Sequence, residues 1–578
     1  MKHHLIAYLE KAALQNKPDA GLRFLDRREN AEWYDWQTIY TRALKAAGAL
    51  HAAGVKSGDR VAIILPTCIG FIDTFLGCQV LGAIPVPMYP PVRLGRLDEY
   101  FERSAAMLDA VKAVAVVSNS QVNRVLGKLL PLYPLRLGFI DAEKLPKGSP
   151  CKPVDISSDQ LALVQFSSGT TVAPKAVALT HRQILSNAIC IQQQIEANSQ
   201  GITPSGVSWL PLYHDMGLIG CILPAILVPG ALTLIPPEVF LAKPAIWLRA
   251  IAKYRATSST APNFAYALCN ERIDAKELEN CDLSCWKMAL CGAEPVSPET
   301  LREFARKFSQ WNFSENSLAP VYGLSEASLA VTFSPFGSGM KTFNIDRQQL
   351  AQGKAVKSTD EHAWELVSVG APLPGFAVEI RDEHGLSLPE NTEGIIYVSG
   401  PSLCQGYFDH DESPIENGWL NTGDVGFLHQ GELYITGRKK DVIILHGQNH
   451  MPHEIERALD KVHGIRTGCA AAVSDIGPEG ERLIVFAEYR EVRDSMAELC
   501  RQAIVAATGV DPALVVLLEP GTIPRTSSGK IRRAETLKLW KKNQLTAPDK
   551  VTPWLLAGAM AASYKERILQ KLKLPEVF

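Results

Sequence analysis

A chain of 578 residues is too long for one simple hydrophobic core, so two or three domains are expected. Hydrophobic residues make up 46% and charged residues 21%, which is typical of globular proteins, and a formal net charge of −2 argues against a nucleic-acid or membrane-surface partner. Twelve cysteines are scattered along the chain, and the spacing of Cys281, Cys285 and Cys291 fits no usual zinc pattern. We therefore expect reduced, mostly buried thiols and a cytoplasmic location.

Two segments bear on membrane targeting. The N-terminal stretch "MKHHLIAYLEKAAL" is interrupted by Glu10 and Lys11, which argues against a signal peptide. The uncharged run 217–237 is long enough to span a bilayer, but four prolines and three glycines divide it into a helix-like and a strand-like half. A buried core segment is therefore favoured, and we expect no transmembrane segment.

Short apolar runs alternate with helical patterns between about residues 60 and 325. Strands are predicted at 60–66, 113–118, 161–166, 206–212 and 231–237, and amphipathic helices lie between several of them. This alternation favours an α/β architecture with largely parallel sheets. After about residue 370, "FAVEIRD", "GIIYVSG" and "GELYITGR" predict short antiparallel strands, and a compact α+β pattern follows Arg438.

These patterns predict a fold class and a domain division. We expect an α/β protein with a large N-terminal domain, residues 1–438, that holds two mainly parallel α/β sheet subdomains and a β subdomain. A small α+β domain, residues 439–578, is expected after it. The tail after Trp540 could be an amphipathic helix, used for docking or for simple packing.

The stretch "QFSSGTTVAPKAVALTH", residues 165–181, combines a strand, a turn rich in hydroxyl groups, and Lys175. It is not a Walker A loop, because Pro174 and Ala176 flank the lysine. We expect a helix to begin near His181. Such a loop can surround a pyrophosphate with N–H and hydroxyl groups while the lysine supplies a positive charge, although an ordinary Ser/Thr-rich turn is the alternative.

Six further motifs follow in order: "WLPLYHDMGLIG" (209–220), "CGAEPV" (291–296), "VYGLSEASLAV" (321–331), "NTGDVGF" (421–427), "ITGRKKDVIILHGQNHMPHEIE" (435–456) and "PRTSSGKIRR" (524–533). Together with the loop they resemble the ordered signature motifs of the adenylate-forming superfamily, which includes acyl-CoA synthetases, luciferases and peptide-synthetase adenylation domains. The resemblance covers roughly residues 20–540.

Finer details resemble the fatty acyl-AMP ligase branch of that superfamily. They are "LPLYHDMGLIG", "STAPNFAYALC", "GAEPVSPETLREFARKF" and "GRKKDVIILHGQNHMPHEIE". More than forty residues separate Glu326 from "VGAPLPG" (369–375), and this gap, within about 335–366, matches the position of the insertion that hampers CoA transfer in these ligases.

The resemblance implies how ATP and Mg²⁺ are held. Thr170, Thr171 and Lys175 would bind the β- and γ-phosphates, with Val172 and Ala176 making the loop stiffer than the glycines of many relatives. Glu326 would bind Mg²⁺, and Asp424 the ribose hydroxyls. Tyr322 would stack on adenine, or else be a core aromatic. The remaining implied nucleotide-binding residues are Gly292, Ala293, Glu294, Gly323, Ser325 and Arg438.

The resemblance also implies the residues that carry the chemistry. Lys530 would neutralise charge on the carboxylate and the α-phosphate, with a surface lysine as the alternative. His214 would orient the acid or gate its pocket, and Lys440 would be the hinge about which the small domain rotates. The implied substrate-binding residues are His214, Met216, Leu218, Asn263 and Phe264, of which Leu218 and Phe264 could equally be plain core.

We therefore expect a fatty acyl-AMP ligase that uses ATP and Mg²⁺ and passes its product to an acyl carrier protein or to a carrier domain of a polyketide or peptide synthase. A long-chain acyl-CoA synthetase is the competing enzyme. A non-catalytic adenylate-binding protein is the competing class, and it would be expected to lose charge at Lys175, Glu326, Asp424 or Lys530, all of which are present.

Overall fold

The computed structural model of the chain describes residues 4–91, 96–144, 149–167, 175–198, 204–360, 363–410, 413–445, 448–477, 480–491, 495–526, 529–548, 560–561 and 563–564. Across these ranges, helices that combine enough length with enough apolar character to cross a membrane are absent.

The first 144 residues alternate helices with short strands. In chain order they form α1 (Leu5–Leu14), β1 (Gly21–Leu25), β2 (Ala31–Asp35), α2 (Trp36–Ala52), β3 (Arg60–Ile64), α3 (Ile69–Leu81), β4 (Ile84–Pro87), α4 (Leu97–Ala110), β5 (Ala115–Ser118), α5 (Ser120–Leu126), α6 (Leu129–Leu132) and β6 (Phe139–Asp141).

The next segment carries most of the predicted motifs. It forms β7 (Leu161–Phe166), β8 (Ala176–Thr180), α7 (His181–Asn198), β9 (Ser205–Ser208), α8 (Asp215–Gly217), a π-helix (Leu218–Ile222), α9 (Leu223–Leu227), β10 (Ala231–Leu234), α10 (Pro237–Ala242), α11 (Ala245–Lys253), β11 (Ser258–Ala261), α12 (Asn263–Arg272), β12 (Met288–Cys291), α13 (Pro298–Phe308), β13 (Leu318–Gly323) and β14 (Ala330–Phe333).

Strands predominate in the rest of the chain. It forms β15 (Thr342–Ile345), α14 (Arg347–Leu350), β16 (Trp364–Val367), β17 (Ala371–Pro372), β18 (Ala377–Arg381), β19 (Gly394–Ser399), β20 (Gly406–Tyr407), β21 (Ile415–Glu416), β22 (Trp419–His429), β23 (Glu432–Arg438), β24 (Ile443–Leu445), β25 (Gln448–His450), α15 (Pro452–Leu459), β26 (Ile465–Gly477), β27 (Gly480–Tyr489), α16 (Met496–Thr508), β28 (Leu514–Leu518) and α17 (Arg533–Lys541). Short 3₁₀ turns lie at Ala275–Leu278, Ser309–Trp311, Glu315–Ser317, Ser325–Ala327 and Lys439–Asp441.

Two mainly parallel sheets confirm the predicted fold class. One has nine strands in the order β17-β14-β13-β12-β11-β9-β10-β1-β2, and its members from β13 to β1 are parallel. The other is the four-stranded parallel sheet β4-β3-β5-β6. Because β3 is covered on both faces, its apolar side chains are buried in succession rather than alternately.

The segments after about residue 370 also have the secondary structure that the sequence predicts. Strands β18, β19, β22, β21 and β23 form an antiparallel sheet. Beyond Arg438, the three-stranded sheet β26-β27-β28 packs with α15 and α16 around its own apolar cluster. The uncharged run 217–237 folds into the π-helix, α9 and β10, as its two-part pattern predicts.

The segment around Lys175 differs from the sequence expectation. We predicted a strand, a loop and then a helix, but β8 intervenes before α7 begins at His181. Strand β8 pairs antiparallel with β7 and with β20, so these three form a separate sheet rather than part of a parallel one. The loop therefore connects two strands of a hairpin and does not lead into the N-terminus of a helix.

The region predicted as an insertion, within about 335–366, contains α14 and most of the hairpin of β15 and β16. Its apolar side chains pack into one cluster with Phe427 and Tyr434 of the antiparallel sheet and with Met451 beyond the predicted domain boundary. The hairpin therefore contacts both parts of the chain.

Candidate active site

A cavity of about 620 Å³ lies at the carboxyl ends of β11, β12 and β13. Since parallel strands end at one edge of a sheet, the residues that follow each of them converge there. The second wall comes from the C-terminal part of the chain and includes His453, Arg457, Arg525, Lys530 and Arg533. The cavity is thus built from both predicted domains.

Asp424 and Arg438 face each other on β22 and β23, where they are direct cross-strand neighbours. The Tyr322 hydroxyl donates to Asp424 Oδ2 at 2.7 Å, and Arg438 Nε lies 3.3 Å from Asp424 Oδ1. Burial raises the pKa of Asp424, and the Arg438 cation opposes this. All three side chains line the cavity, so Tyr322 is at its wall rather than deep in the core.

Glu326 and Lys175 meet through a tyrosine that we did not predict from the sequence. Tyr407 donates from its hydroxyl to Glu326 Oε1 at 3.1 Å, and Lys175 Nζ donates to the same hydroxyl at 3.2 Å. The ammonium also lies 4.5 Å from the Tyr407 ring centroid. Tyr407 is brought here by the pairing of β20 with β8, which joins residues more than 200 positions apart. Lys175 is exposed, and Thr170 and Thr171 lie outside the described residues.

His214 is held by its neighbour Asp215, which the sequence analysis also missed. His214 Nδ1 lies 2.5 Å from Asp215 Oδ1, while Ser325 donates from its hydroxyl to Asp215 Oδ2. Burial alone would raise the pKa of Asp215, but His214 and these hydrogen bonds lower it to about 2. Asp215 therefore fixes the imidazole through Nδ1. His214 Nε2 is buried and has no hydrogen-bond partner among the described residues, so it is available to a ligand.

Lys530 lines the cavity and is partly buried. Burial lowers the pKa of its ammonium, Asp215, Asp424 and Glu294 favour the charged form, and Arg438 opposes it. Gly529 before it has φ +89°, a conformation that glycine adopts without strain. The lysine thus lies where carboxylates from three different parts of the large domain act on it together.

The residues after β12 place a carboxylate beside the lysine. Glu294 lines the cavity, and its Oε1 accepts a 2.6 Å hydrogen bond from the Phe264 N–H. Burial raises the pKa of Glu294, and that hydrogen bond and Lys530 oppose it. Ala293 lines the cavity at φ +69°. Gly292 is absent from the lining; a Cβ there would lie 2.6 Å from the Val321 carbonyl oxygen, so this glycine permits close packing against β13.

The predicted substrate-binding residues divide into two groups. Met216, Asn263 and Phe264 line the cavity with His214, whereas Leu218 is fully buried in the core cluster of α1, α2 and α3. Leu218 thus matches the plain-core alternative. Gly323, Ser325 and Glu326 line the cavity, and Lys440 lies apart from it, exposed in the 3₁₀ turn after β23.

The strand ends of the α/β sheet face a small α+β unit, and a lysine from that unit lies in the shared cavity. The sequence profile of the AMP-binding enzyme family matches residues 9–408, and the chain belongs to this family. With the fatty acyl-adenylate ligase structure described next, this match identifies an acyl-adenylate-forming enzyme.

Comparison with individual proteins places the chain near the fatty acyl-AMP ligases. A structure from structural and functional studies of fatty acyl-adenylate ligases of E. coli and L. pneumophila is 35% identical, with a TM-score of 0.86 over 93% of this chain and 98% of that one. An adenylation–carrier structure, McyG A-PCP complexed with phenylalanyl-adenylate, is 25% identical, with a TM-score of 0.82 over 97% of each chain. A Mycobacterium tuberculosis protein that carries the name fatty-acid–CoA ligase FadD21 is 31% identical over 93% of this chain and 98% of its own length.

Proposed function

We propose that this enzyme activates a medium- or long-chain fatty acid with ATP and Mg²⁺ and then passes the acyl group to the phosphopantetheine thiol of a carrier protein or carrier domain. The observation that carries the proposal is the convergence of Lys530, the His214–Asp215 pair and the Asp424–Arg438 pair on one cavity. A cytoplasmic location, where ATP is available, is part of the proposal.

In the first step, a carboxylate oxygen of the fatty acid attacks the α-phosphorus of ATP, the bond to the β-phosphate oxygen breaks, and pyrophosphate leaves. Two anions must meet, so positioning and charge stabilisation supply most of the catalysis. Lys530 neutralises charge on the carboxylate and the α-phosphate, and His214 Nε2 orients the acid. Lys175 is assigned to the β- and γ-phosphates with Thr170 and Thr171.

The nucleoside is assigned to the opposite end of the cavity. Asp424 binds the ribose hydroxyls, with Arg438 holding its carboxylate in place, since hydrogen bonds to a charged group contribute about 1.5–3 kcal/mol. Tyr322 and the backbone at Ala293 and Gly323 face the adenine, and Gly292 supports them by its close packing against β13. Glu294 and Ser325 line the same cavity, where Glu294 accepts a hydrogen bond from the Phe264 N–H and Ser325 donates to Asp215.

Glu326 is a suitable ligand for Mg²⁺. Proteins usually hold this ion through one or two carboxylates together with substrate phosphates. Within the described ranges there is no cluster of three His, Cys, Asp or Glu side chains that would hold a metal by itself. The site therefore fits an ion that enters with ATP, and the bound ion would neutralise phosphate charge.

The choice of a carrier protein over CoA rests on the hairpin of β15 and β16 with α14. Arg347 of α14 forms an ion pair with Glu454 of α15, and the Trp364 ring lies 5.6 Å from that of His453. These contacts join the insertion to the small domain and would oppose its rotation toward a pose that accepts CoA. The named CoA ligase among the relatives keeps an acyl-CoA synthetase as the second candidate.

The test is mass spectrometry of one reaction that contains ATP, Mg²⁺, dodecanoic acid, CoA and a holo carrier protein. Acyl-AMP and acyl-carrier product without acyl-CoA are expected. Abundant acyl-CoA would identify the second candidate instead. If the enzyme binds AMP but forms no acyl-AMP with any fatty acid, the non-catalytic alternative replaces both.

A further inference from the structure

The cavity continues from the carboxyl ends of the strands toward their beginnings. At this deeper level, Gly206 of β9 pairs with Leu232 of β10 and with Ser258 of β11, and all three line the cavity. Residues paired in register share one face of a sheet. Gly206 lies between the other two and has no side chain to fill the cavity. A Cβ at this position would lie 3.0 Å from Leu232 Cδ1.

Helix α7 contributes three residues to the lining of the cavity. Ile191, Gln192 and Ile195 all line it. The two isoleucines belong to the apolar cluster that includes Leu290 of β12 and Ala330 of β14. An alkyl chain suits most of this lining.

Gln192 departs from that apolar character. It is only 6% exposed, and its amide Nε2 is buried with no hydrogen-bond partner among the described residues. An unsatisfied buried amide is costly, and buried polar side chains are normally hydrogen-bonded. The amide can both donate and accept, so an oxygen function of a bound acyl chain would satisfy it.

The position of Gln192 along α7 indicates which part of the acyl chain it meets. Asn187 donates from Nδ2 to the carbonyl oxygens of Ala327 and Ala330, just after Glu326, so this turn of α7 lies level with the predicted catalytic end. Gln192 follows five residues later, about 7.5 Å further along the axis of α7 at the helical rise. An acyl chain that ran parallel to α7 from that end would reach Gln192 after roughly six carbons.

We infer that Gln192 selects acids with a hydrogen-bonding oxygen, such as a hydroxyl group, several carbons from the carboxylate. The preferred substrate class is thus an oxygenated fatty acid rather than a plain alkanoic acid. This inference rests on the proposed function, and it adds a specificity-determining residue to it.

The test compares dodecanoic acid with monohydroxydodecanoic acids substituted at successive positions from C3 to C12. The kcat/KM for acyl-AMP formation is measured for each acid with the wild-type enzyme. We expect a preference of at least about tenfold for acids hydroxylated at one or two neighbouring positions beyond the first few carbons, the scale of leaving one buried polar group unpaired. Equal or better use of dodecanoic acid than of every hydroxy acid overturns the inference.

Two variants of α7 locate the effect. Gln192→Leu removes the amide at similar size, and the hydroxy-to-plain ratio of kcat/KM should fall close to one. Gln193→Leu, the neighbouring exposed position, should keep the wild-type ratio. A wild-type ratio in folded Gln192→Leu overturns the assignment. Acyl-AMP from none of the acids overturns the proposed function itself, whereas acyl-AMP formed without a hydroxyl preference overturns only this inference.

Discussion

At the residue scale, the charge state of Lys530 is set by groups that are remote from it in sequence. Three carboxylates, those of Asp215, Asp424 and Glu294, favour its charged form, while burial and Arg438 oppose it. In our proposal, this charged ammonium stabilises the charge that develops between carboxylate and α-phosphate.

We therefore predict that Lys530→Ala lowers the rate of acyl-AMP formation by ~10²–10³-fold, the scale for losing one transition-state donor. Single-turnover formation of acyl-AMP is the measurement. Lys538→Ala, which removes an exposed lysine of α17, is the matched control and should keep the wild-type rate. A Lys530→Ala rate within threefold of the wild type would remove the assignment.

His181 at the start of α7 makes stability depend on pH. It is 2% exposed, and burial together with the nearby His4 ring lowers its pKa to about 4. Between pH 6.5 and 4 the unfolded chain therefore binds a proton that the folded chain does not. Linkage then requires the free energy of unfolding to fall as pH drops through this window.

The expected contribution is about 2 kcal/mol between pH 7 and pH 5, because each pKa unit corresponds to 1.36 kcal/mol. Urea unfolding at the two pH values measures it. His181→Gln has no titrating ring and should lose about this much less stability on acidification than the wild type. His384→Gln, at an exposed turn, serves as control. An unchanged pH dependence in His181→Gln would contradict the prediction.

At the scale of elements, local patterns predicted a strand or helix well where the residues of that element alone carry the hydrophobic pattern. Helix α7 begins at His181 as predicted, and the strand predicted at 60–66 is β3, whose residues 61–64 are all buried. Strand β8 was missed because its five residues lie between a loop and a helix, and its partner β20 is remote in sequence.

In the candidate site, too, local motifs were predictable from the sequence, whereas contacts between remote segments were not. Short motifs located His214, Glu326, Asp424 and Lys530, which lie in one cavity. Tyr407 gave no comparable signal, because its link to Glu326 and Lys175 depends on a two-residue strand that pairs across the fold. Asp215 stood in the quoted "HDMG", next to His214, but its hydrogen bond with Ser325 is a tertiary contact between residues 110 positions apart.

The predicted insertion, within about 335–366, gives a testable prediction at the scale of elements. Burial raises the pKa of Glu454, and Arg347 opposes this shift. Arg347→Ala leaves the carboxylate without that cation, and removing one partner of a buried pair destabilises strongly, here by roughly 1–3 kcal/mol because Arg347 is partly exposed. We expect the ratio of acyl-CoA to acyl-AMP to rise in this variant.

Mass spectrometry with CoA as the only thiol measures that ratio. Lys354→Ala removes an exposed positive charge of the same segment and should leave the ratio at the wild-type value. No increase in acyl-CoA with Arg347→Ala, despite the loss of stability, would mean that this ion pair does not restrain the small domain.

At the scale of the whole molecule, the cavity requires the two parts of the chain to meet. Ser297 after β12 accepts a hydrogen bond from Arg457 of α15, and Arg490 forms an ion pair with Glu271 of α12. The carboxylates that favour the charged form of Lys530 all belong to the large domain. We propose that the small domain rotates for thiol transfer, so the contacts that complete the first step would have to break for the second.

Lys440 is the residue where this rotation is proposed to occur. Lys440→Pro fixes φ near −65° and removes an N–H group, which restricts the backbone at that position. We expect acyl-AMP formation to stay within about threefold of the wild type and transfer to a holo carrier protein to fall by ~10²-fold, because only the second step needs the backbone to turn. The two half-reactions are measured separately, by single-turnover acyl-AMP formation and by chase of preformed acyl-AMP with carrier.

Lys440→Ala removes the same charge but leaves φ free, so it should behave as the wild type in both. Equal losses in the two half-reactions, or a matching loss in Lys440→Ala, would show that the position acts through folding or charge and is not the hinge.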